Sequence, residues 1–195
     1  MKLYSINEIF YSLQGEGFYV GTPSLFIRFS GCNLRCPFCD TEHQQHTNLT
    51  ARQILDAVAG CAASHVVLTG GEPSLFVDEA FIHQLHSLRK YVTIETNGTH
   101  KLPFNIDWIT LSPKDGFVEG ADVIIKKCNE LKVVFHSFEA MHEYKDIEAT
   151  YRFIQPEDTG NNEKNAQIMS EAIRYCLANP DWRLSLQTHK IIGVR

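Results

Sequence analysis

The chain has 195 residues, 44% hydrophobic and 21% charged, which are the proportions of an ordinary globular protein with one substantial core. Its formal net charge of -5 argues against a broad nucleic-acid-binding face, and no stretch approaches the roughly 20 apolar residues of a membrane span. The N-terminus lacks the apolar core of a signal peptide, so we expect one cytoplasmic domain, residues 1–195, with six reduced cysteines.

Short apolar runs alternate with helical patterns along the chain. The predicted strands cover residues 24–29, 66–68, 92–94, 108–111, 131–135, 151–154 and 183–186. The predicted helices follow the capping-box residues Thr50 and Gln53, occupy residues 80–88, follow Ser137, and occupy residues 166–177. This alternation is typical of a mostly parallel sheet, and only about three crossovers are long enough for a full helix. The predicted fold is therefore α/β, an abbreviated, partial (β/α) barrel.

Polar motifs follow most of these strands at their carboxyl ends. Because the carboxyl ends of parallel strands open on one side, we expect the motifs to converge on one mouth. Each motif alone is also typical of a plain turn. The motifs are the cysteine run 31–41, then 70–73 (Gly-Gly-Glu-Pro), 95–98 (Glu-Thr-Asn-Gly), 112–114 (Ser-Pro-Lys), 155–156 (Gln-Pro) and 187–190 (Gln-Thr-His-Lys).

The cysteine run carries the most specific chemistry. Cys32, Cys36 and Cys39 are spaced Cys-x3-Cys-x2-Cys. A [4Fe–4S] cluster usually takes four thiolates, so three neighbouring cysteines leave one iron open for a reactive ligand. The alternative is a small structural zinc site, in which Cys36 and Cys39 would be joined by His43 and His46.

The cysteine run resembles the signature of the radical S-adenosylmethionine (SAM) superfamily. That resemblance implies a partial barrel of the radical SAM type and a [4Fe–4S] cluster ligated by Cys32, Cys36 and Cys39. It also implies that SAM chelates the fourth iron and is cleaved to a 5′-deoxyadenosyl radical. The SAM contacts implied are Phe38, Cys39, Asp40, Gly70, Gly71, Glu72, Gly98, Ser112, Pro113, Lys114, Gln155 and Pro156.

The N-terminal segment 13–17 narrows the class further. Gln14 and Glu16 offer paired donors and acceptors suited to the edge of a polar heterocycle, although a polar turn between two strands explains the segment equally well. Arg28 suits a carboxylated ligand because a guanidinium forms paired hydrogen bonds, and a surface ion pair is the alternative. With the terminal motif 187–190, the pattern is similar to the 7-carboxy-7-deazaguanine synthase family of queuosine and other 7-deazapurine biosynthesis.

This second resemblance implies a substrate and a reaction. The substrate would be 6-carboxy-5,6,7,8-tetrahydropterin, and the products 7-carboxy-7-deazaguanine and ammonia. The implied course is hydrogen abstraction at C6 followed by a Mg2+-assisted radical ring contraction, with Thr41 as the Mg2+ ligand. The implied substrate contacts are Leu13, Gln14, Gly15, Glu16, Arg28, Thr96 and the C-terminal Arg195.

The resemblance also implies partners, and two alternatives stay open. A flavodoxin or ferredoxin-type protein would supply electrons, and two copies of the chain would form a homodimer, with no membrane or nucleic-acid partner. The alternative enzyme is an activase that generates a glycyl radical on a protein; it would share the cysteines but has no use for Gln14, Glu16 or Arg28. The alternative without catalysis is a zinc-stabilised binding module.

Overall fold

The computed structural model describes residues 2–39, 45–142 and 144–195. Within these ranges nine strands form one sheet: β1 Leu3–Leu13, β2 Pro23–Phe29, β3 Thr47–Thr50, β4 His65–Gly70, β5 Tyr91–Thr96, β6 Trp108–Leu111, β7 Lys127–Phe135, β8 Glu148–Pro156 and β9 Trp182–Leu184. The helices are α1 Ala51–Ala59, α2 Glu79–Ser87, α3 Asn162–Ala178 and α4 Thr188–Ile192, with a 3-10 turn at Pro73–Leu75. Among the described residues, no helix has both the length and the apolar character that crossing a membrane requires.

The strand order is β3-β1-β2-β4-β5-β6-β7-β8-β9. From β2 to β9 each strand runs parallel to its neighbour, whereas β1 is antiparallel to both β2 and β3. The prediction of a mostly parallel α/β sheet is therefore confirmed. The seven parallel strands end at one edge of the sheet, and their carboxyl-terminal loops meet there.

Three crossovers carry a full helix, as the sequence predicts. They are β3 to β4 through α1, β4 to β5 through α2, and β8 to β9 through α3. The capping box that opens α1 is formed as expected, because Thr50 Oγ1 accepts from the Gln53 backbone N–H and Gln53 Oε1 accepts from the Thr50 backbone N–H. Strands β1 and β3 and helix α4 lie outside the predicted elements.

The predicted helix after Ser137 is wrong. Ser137 Oγ does accept from the Ala140 backbone N–H, but in the described residues between β7 and β8 the chain forms only turns. Phe138 packs on Phe135 with ring centroids 6.1 Å apart, and Tyr144 has a left-handed backbone with φ of 48°. A left-handed residue cannot continue a right-handed helix, so a cap without a following helical run yields a turn.

The two faces of the sheet differ in chemistry because successive side chains in a strand point to opposite sides. The outer face is apolar and packs against α1, α2 and α3. The largest fully buried side chains of this layer come from α1 and α2 (Ile54, Phe81, Ile82 and Leu85) and from the strands (Ile27, Phe29, Leu68, Ile94, Leu111, Leu131, Phe135 and Ile154). The inner face carries buried polar side chains, among them His65, Thr93, Thr110, Glu130 and Lys132. A polar barrel interior is thus formed inside an apolar shell.

The loop joining β1 to β2 closes one end of this interior. Phe18 stacks on Trp108 and packs on Tyr151, with ring centroids 4.9 Å and 4.5 Å apart. Tyr19 lies 4.7 Å from the ring of His65. Because His65 and Trp108 begin their strands, these aromatic contacts plug the amino-terminal end of the barrel. The polar interior is left to open at the carboxyl-terminal end.

A buried histidine beneath this plug links β2, β4 and β5. The Nδ1 atom of His65 lies 2.7 Å from Ser24 Oγ, and its Nε2 atom lies 2.7 Å from Thr93 Oγ1. Since Ser24 donates its hydroxyl to the Thr22 carbonyl, Ser24 Oγ accepts from His65 Nδ1–H and Nε2 accepts from Thr93. Burial lowers the pKa of His65, with Glu95 opposing, so the ring is held neutral.

His65→Leu is expected to lower the free energy of unfolding by about 2–4 kcal/mol near pH 8, because two buried hydroxyls lose their partner. In the wild type the contribution of neutral His65 is complete above about pH 6.5, the pKa in the unfolded chain, and is lost as the pH falls below it. Urea titrations should therefore show the difference between the two proteins narrowing towards acid pH. His83→Leu, on the exposed side of α2, is the control. A difference that does not change with pH would contradict the neutral ring.

Candidate active site

The strand-end motifs surround one cavity of about 280 Å³ at the carboxyl-terminal edge of the sheet. Every motif that the sequence places at a strand end contributes at least one residue to its wall. The wall consists of Glu16, Cys32, Leu34, Cys36, Phe38, Cys39, Thr69, Gly70, Gly71, Glu95, Thr96, Asn97, Ser112, Lys114, Lys132, Val134, Gln155, Pro156, Glu157, Asp158, Gln187 and Lys190. We call this space the cysteine cavity.

Cys32, Cys36 and Cys39 all line the cysteine cavity, and none of them forms a disulfide. Burial raises the pKa of Cys32, which the Leu34 backbone N–H partly offsets by donating to its sulfur, and burial also raises that of Cys36. Both are therefore thiols near neutral pH and must release protons to bind a metal.

Three neighbouring thiolates are a donor set typical of an iron–sulfur cluster. Within residues 2–39, 45–142 and 144–195, no three His, Cys, Asp or Glu side chains are arranged to hold one metal ion. A cluster differs, because each thiolate binds a different iron and the sulfurs need not converge on a point. Asp40, Thr41 and His43, which the sequence analysis assigns to SAM, Mg2+ and the alternative zinc site, lie outside the described residues.

The Gly70–Gly71 pair holds the cysteine loop in place. A Cβ atom on Gly71 would lie 2.0 Å from the Gly31 carbonyl oxygen, and one on Gly70 would lie 2.3 Å from the Phe29 oxygen. The Gly71 N–H donates to Phe29 O and the Glu72 N–H to Gly31 O, both at 2.9 Å. The close approach that requires glycine here is therefore to protein backbone.

The Glu72 carboxylate is buried and joins two loops of the site. It accepts from Thr96 Oγ1 and from the Asn97 backbone N–H at 2.7 Å each, and from the Ser74 backbone N–H at 3.0 Å. Only 1% of the residue is exposed, and it lies behind the cavity wall. Glu72 thus fixes the loop after β4 to the loop after β5, and a contact of its side chain with SAM stays a prediction.

The loop after β5 is tied in turn to the cysteine loop. Asn97 Nδ2 donates to Asn33 Oδ1 at 3.1 Å, and Asn33 Nδ2 donates to Thr99 Oγ1 at 2.9 Å. Gly98 has a φ of +82°, and a Cβ atom there would meet Leu111 Cδ1 at 2.3 Å. Gly98 therefore supports the loop from behind, where a larger residue does not fit.

Most of the remaining predicted SAM contacts, namely Phe38, Ser112, Lys114, Gln155 and Pro156, line the same cavity. Lys114 Nζ donates to the carbonyl and the hydroxyl of Ser112, both at 2.6 Å, and burial lowers the pKa of Lys114 to about 8. Phe38 packs edge-on against Phe117 with centroids 4.7 Å apart. Gln155 Oε1 accepts from Ser185 Oγ. Pro156 lines the cavity, whereas Pro113 is buried between its neighbours.

A second cavity of about 200 Å³ adjoins the first and contains most of the predicted substrate contacts. It is lined by Phe10, Leu13, Gln14, Gly15, Glu16, Phe26, Arg28, Thr69, Gly70, Glu95, Gln187, His189 and Arg195. Five residues line both spaces, namely Glu16, Thr69, Gly70, Glu95 and Gln187. Of the predicted substrate contacts, Thr96 alone lies on the cysteine cavity instead. We call the second space the substrate cavity.

Arginine side chains form part of the substrate cavity wall. Arg28 Nε lies 3.0 Å from Glu8 Oε1, and Arg195 donates to the other oxygen of Glu8. Both guanidinium groups lie over the Phe10 ring, 5.5 Å and 5.2 Å from its centroid. The Arg195 carbonyl accepts from Ser12 Oγ at 2.7 Å. The ion pair considered for Arg28 does exist, and Arg28 also lines the wall of the substrate cavity.

Acid and amide groups form another part of the substrate cavity wall. Gln14 Oε1 accepts from the Gly15 and Glu16 backbone N–H groups, and Gln14 Nε2 donates to Glu95 Oε1 at 3.0 Å. Glu95 Oε2 accepts from Thr69 Oγ1 at 2.7 Å. The carboxylates of Glu16 and Glu95 both line this part of the cavity.

Sequence reasoning missed several of these groups as individual site residues. They are Thr69, Glu95, Lys132, Gln187 and His189. One signal was available: Glu130 and Lys132 are charged residues two apart in β7, next to the apolar Leu131, Val133 and Val134, which places both on the same face. His189 packs over Gly15, where a Cβ atom would lie 2.1 Å from Nδ1 of His189.

Comparisons with known proteins agree with this geometry. Residues 26–174 match the Radical SAM superfamily. The chain is 48% identical over 190 residues to a 7-carboxy-7-deazaguanine synthase of Bacteroides thetaiotaomicron, covering 97% of this chain and 98% of the relative. A synthase of the same name from Bordetella pertussis is 40% identical over 214 residues, covering 98% and 99%. The crystal structure of QueE from Escherichia coli superposes with a TM-score of 0.77 at 28% identity, over 96% of this chain and 95% of that one.

Proposed function

Because the chain belongs to the radical SAM superfamily and, within it, to the 7-carboxy-7-deazaguanine synthases, we propose that it converts 6-carboxy-5,6,7,8-tetrahydropterin to 7-carboxy-7-deazaguanine and ammonia. It is a radical SAM lyase of queuosine and 7-deazapurine biosynthesis. The observation that carries the substrate assignment is the pair of adjoining cavities. One is lined by three cysteines, and the other by two arginines and two carboxylates.

Cys32, Cys36 and Cys39 would hold a [4Fe–4S] cluster, with SAM in the cysteine cavity beside it. Once bound, this pair supplies the radical that abstracts hydrogen from C6 of the pterin. The protein positions the pterin and excludes water. The aromatic plug around Phe18 serves that second task, because it closes the barrel end away from the cysteines.

The charged groups that line the substrate cavity match the two ends of a carboxylated pterin. The Arg28 guanidinium suits the carboxylate, because planar paired hydrogen bonds favour that partner. Glu16 and the Gln14 segment suit the guanidine-like edge of the pterin, which donates N–H groups. Lys132 keeps the Glu16 pKa below its usual range against the effect of burial, so that carboxylate is an acceptor. Thr96 contributes a hydroxyl from the neighbouring cavity.

Further parts of the proposal follow from the family. Mg2+ would be held by Thr41 together with substrate oxygens and water, since magnesium binds with few protein groups. A flavodoxin or ferredoxin-type protein would deliver electrons, and the working form would be a cytoplasmic homodimer in which residues 1–195 form one domain. A glycyl-radical activase is not favoured, because its activity does not account for Gln14, Glu16 and Arg28 in the substrate cavity.

Anaerobic turnover tests the proposal. We expect the reconstituted enzyme, with SAM, Mg2+ and a reductant, to release 7-carboxy-7-deazaguanine and ammonia from the carboxylated tetrahydropterin, with SAM regenerated. Mass spectrometry identifies the product. The matched control is the tetrahydropterin without its 6-carboxylate, because it offers the Arg28 guanidinium no carboxylate to bind. Deoxyadenosine release without any deazaguanine would overturn the substrate assignment and return attention to a protein substrate.

A further inference from the structure

A buried lysine lies among carboxylates on the inner face of β7. Lys132 Nζ is 2.5 Å from Glu16 Oε2 and 3.9 Å from Glu95 Oε1, and only 8% of its side chain is exposed. A buried ammonium group is stable only where carboxylates pair with it. The two partners come from distant parts of the chain, so Lys132 joins the loop after β1 to the end of β5.

The rest of the Glu16 environment holds its carboxylate in one orientation. Gln187 Nε2 donates to Glu16 Oε1 at 3.0 Å, which leaves Oε2 to Lys132. Glu16 and Glu95 each line both cavities. Lys132 lines only the cysteine cavity and lies behind the acidic wall of the substrate cavity. Its ammonium is therefore placed to act on a bound substrate through the carboxylates.

Other titratable groups face the Glu16–Lys132 pair from each neighbouring element. They are Glu95 on β5, Lys114 after β6, Glu130 on β7 and His189 on α4. Glu130 accepts from the Phe18 backbone N–H at 3.0 Å, and burial raises its pKa although Lys132 opposes this. No other cation among the described residues makes an ion pair with Glu16 or Glu95 at 4.0 Å or less.

We propose that Lys132 is a positioning residue that orients the Glu16 and Glu95 carboxylates along the substrate cavity. This proposal rests on the proposed function, because it gives the two carboxylates a pterin to bind. It differs from a purely structural role in one respect. Without Lys132, the Glu16 carboxylate should be protonated near neutral pH, and the affinity for the ligand should then depend on pH.

The physical reason is the balance between burial and charge. Burial alone raises the pKa of Glu16, and Lys132 reverses this by its charge and its hydrogen bond. Carboxylates buried without a cation can reach pKa values of about 8 to 9. In Lys132→Met, Glu16 should therefore be largely protonated near pH 7. A protonated carboxyl group is a poor acceptor for the donor edge of a pterin.

The first measurement is the Kd of the carboxylated pterin, determined anaerobically on the reconstituted enzyme at several pH values. For K132M we expect binding about 10–100-fold weaker than wild type near pH 7, with recovery as the pH rises towards 9. K132R keeps the charge and should show no such pH dependence. K127M is the matched control, because Lys127 lies on the same strand in an exposed ion pair with Glu148. K132M should add little to the loss already caused by E16Q.

A second measurement does not need the substrate. Removing Lys132 leaves Glu16 with a raised pKa in the folded state. The folded variant therefore tolerates protonated Glu16 at acid pH and loses stability as the pH rises and Glu16 must ionise. The Tm difference between K132M and wild type should therefore widen from about pH 5 to pH 8, while that of K127M stays constant. A constant Tm difference for K132M, or an equal loss of affinity from K132M in wild type and E16Q, would overturn the proposal. Wild-type enzyme that binds no pterin refutes the proposed function instead, and the Tm test still stands.

Discussion

Cys36→Ala is expected to abolish radical chemistry, with SAM cleavage at least about 1000-fold below wild type. The three cysteines follow β2 within one short loop, and each would bind a different iron of the cluster. Removing Cys36 leaves two thiolates, which are too few to retain a [4Fe–4S] cluster. Iron and sulfide content per chain, the spectrum of the reduced cluster and release of 5′-deoxyadenosine measure the loss.

The matched control for this prediction is Cys176→Ala. Cys176 is also a half-buried thiol whose pKa burial raises, but it lies on α3 and lines neither cavity. The control should keep a full cluster and wild-type turnover. If Cys36→Ala retained a cluster that cleaves SAM, another residue would have to supply the missing ligand, and the assignment of three neighbouring thiolates would be wrong.

The positions of the site loops were predictable because local signals mark them. An apolar strand followed by glycine, proline or a polar run marks a strand end, and parallel strands bring those ends together. The loops after β2, β4, β5, β6 and β8 therefore meet as expected. The membership of individual side chains in the wall was less predictable. Pro113 and Glu72 belong to the right loops, yet they are buried behind the cavity.

The polar contacts of the inner face were not predictable in the same way. Lys132 and Glu16 are 116 positions apart, and Gln14 and Glu95 are 81 apart. No local spacing connects such residues, because their contact depends on how β1, β5 and β7 are arranged around the barrel. Ser137 illustrates the opposite case, since its local cap signal is satisfied by a turn and no helix follows.

Gly71→Ala is expected to displace the cysteine loop and to lower the free energy of unfolding by about 2–4 kcal/mol. The added Cβ would lie 2.0 Å from the Gly31 carbonyl oxygen and 2.5 Å from its carbon. Backbone atoms cannot rotate away as a flexible side chain can, so β2 and β4 must separate locally. The hydrogen bond from the Glu72 N–H to Gly31 O should break at the same time. Cluster content should fall with stability, because Cys32 follows Gly31 directly.

The control for Gly71→Ala is Gly116→Ala, whose added Cβ would have no heavy atom within 4 Å. Both changes reduce the backbone freedom of the unfolded chain equally, so their difference isolates the collision with the loop. Urea unfolding of the apoprotein measures stability, and iron content after reconstitution measures whether the cysteines still hold a cluster. Wild-type iron content in a stable Gly71→Ala protein would mean that the cysteine loop takes its position without this contact. The glycine pair would then be free for the ligand role that its sequence motif implies.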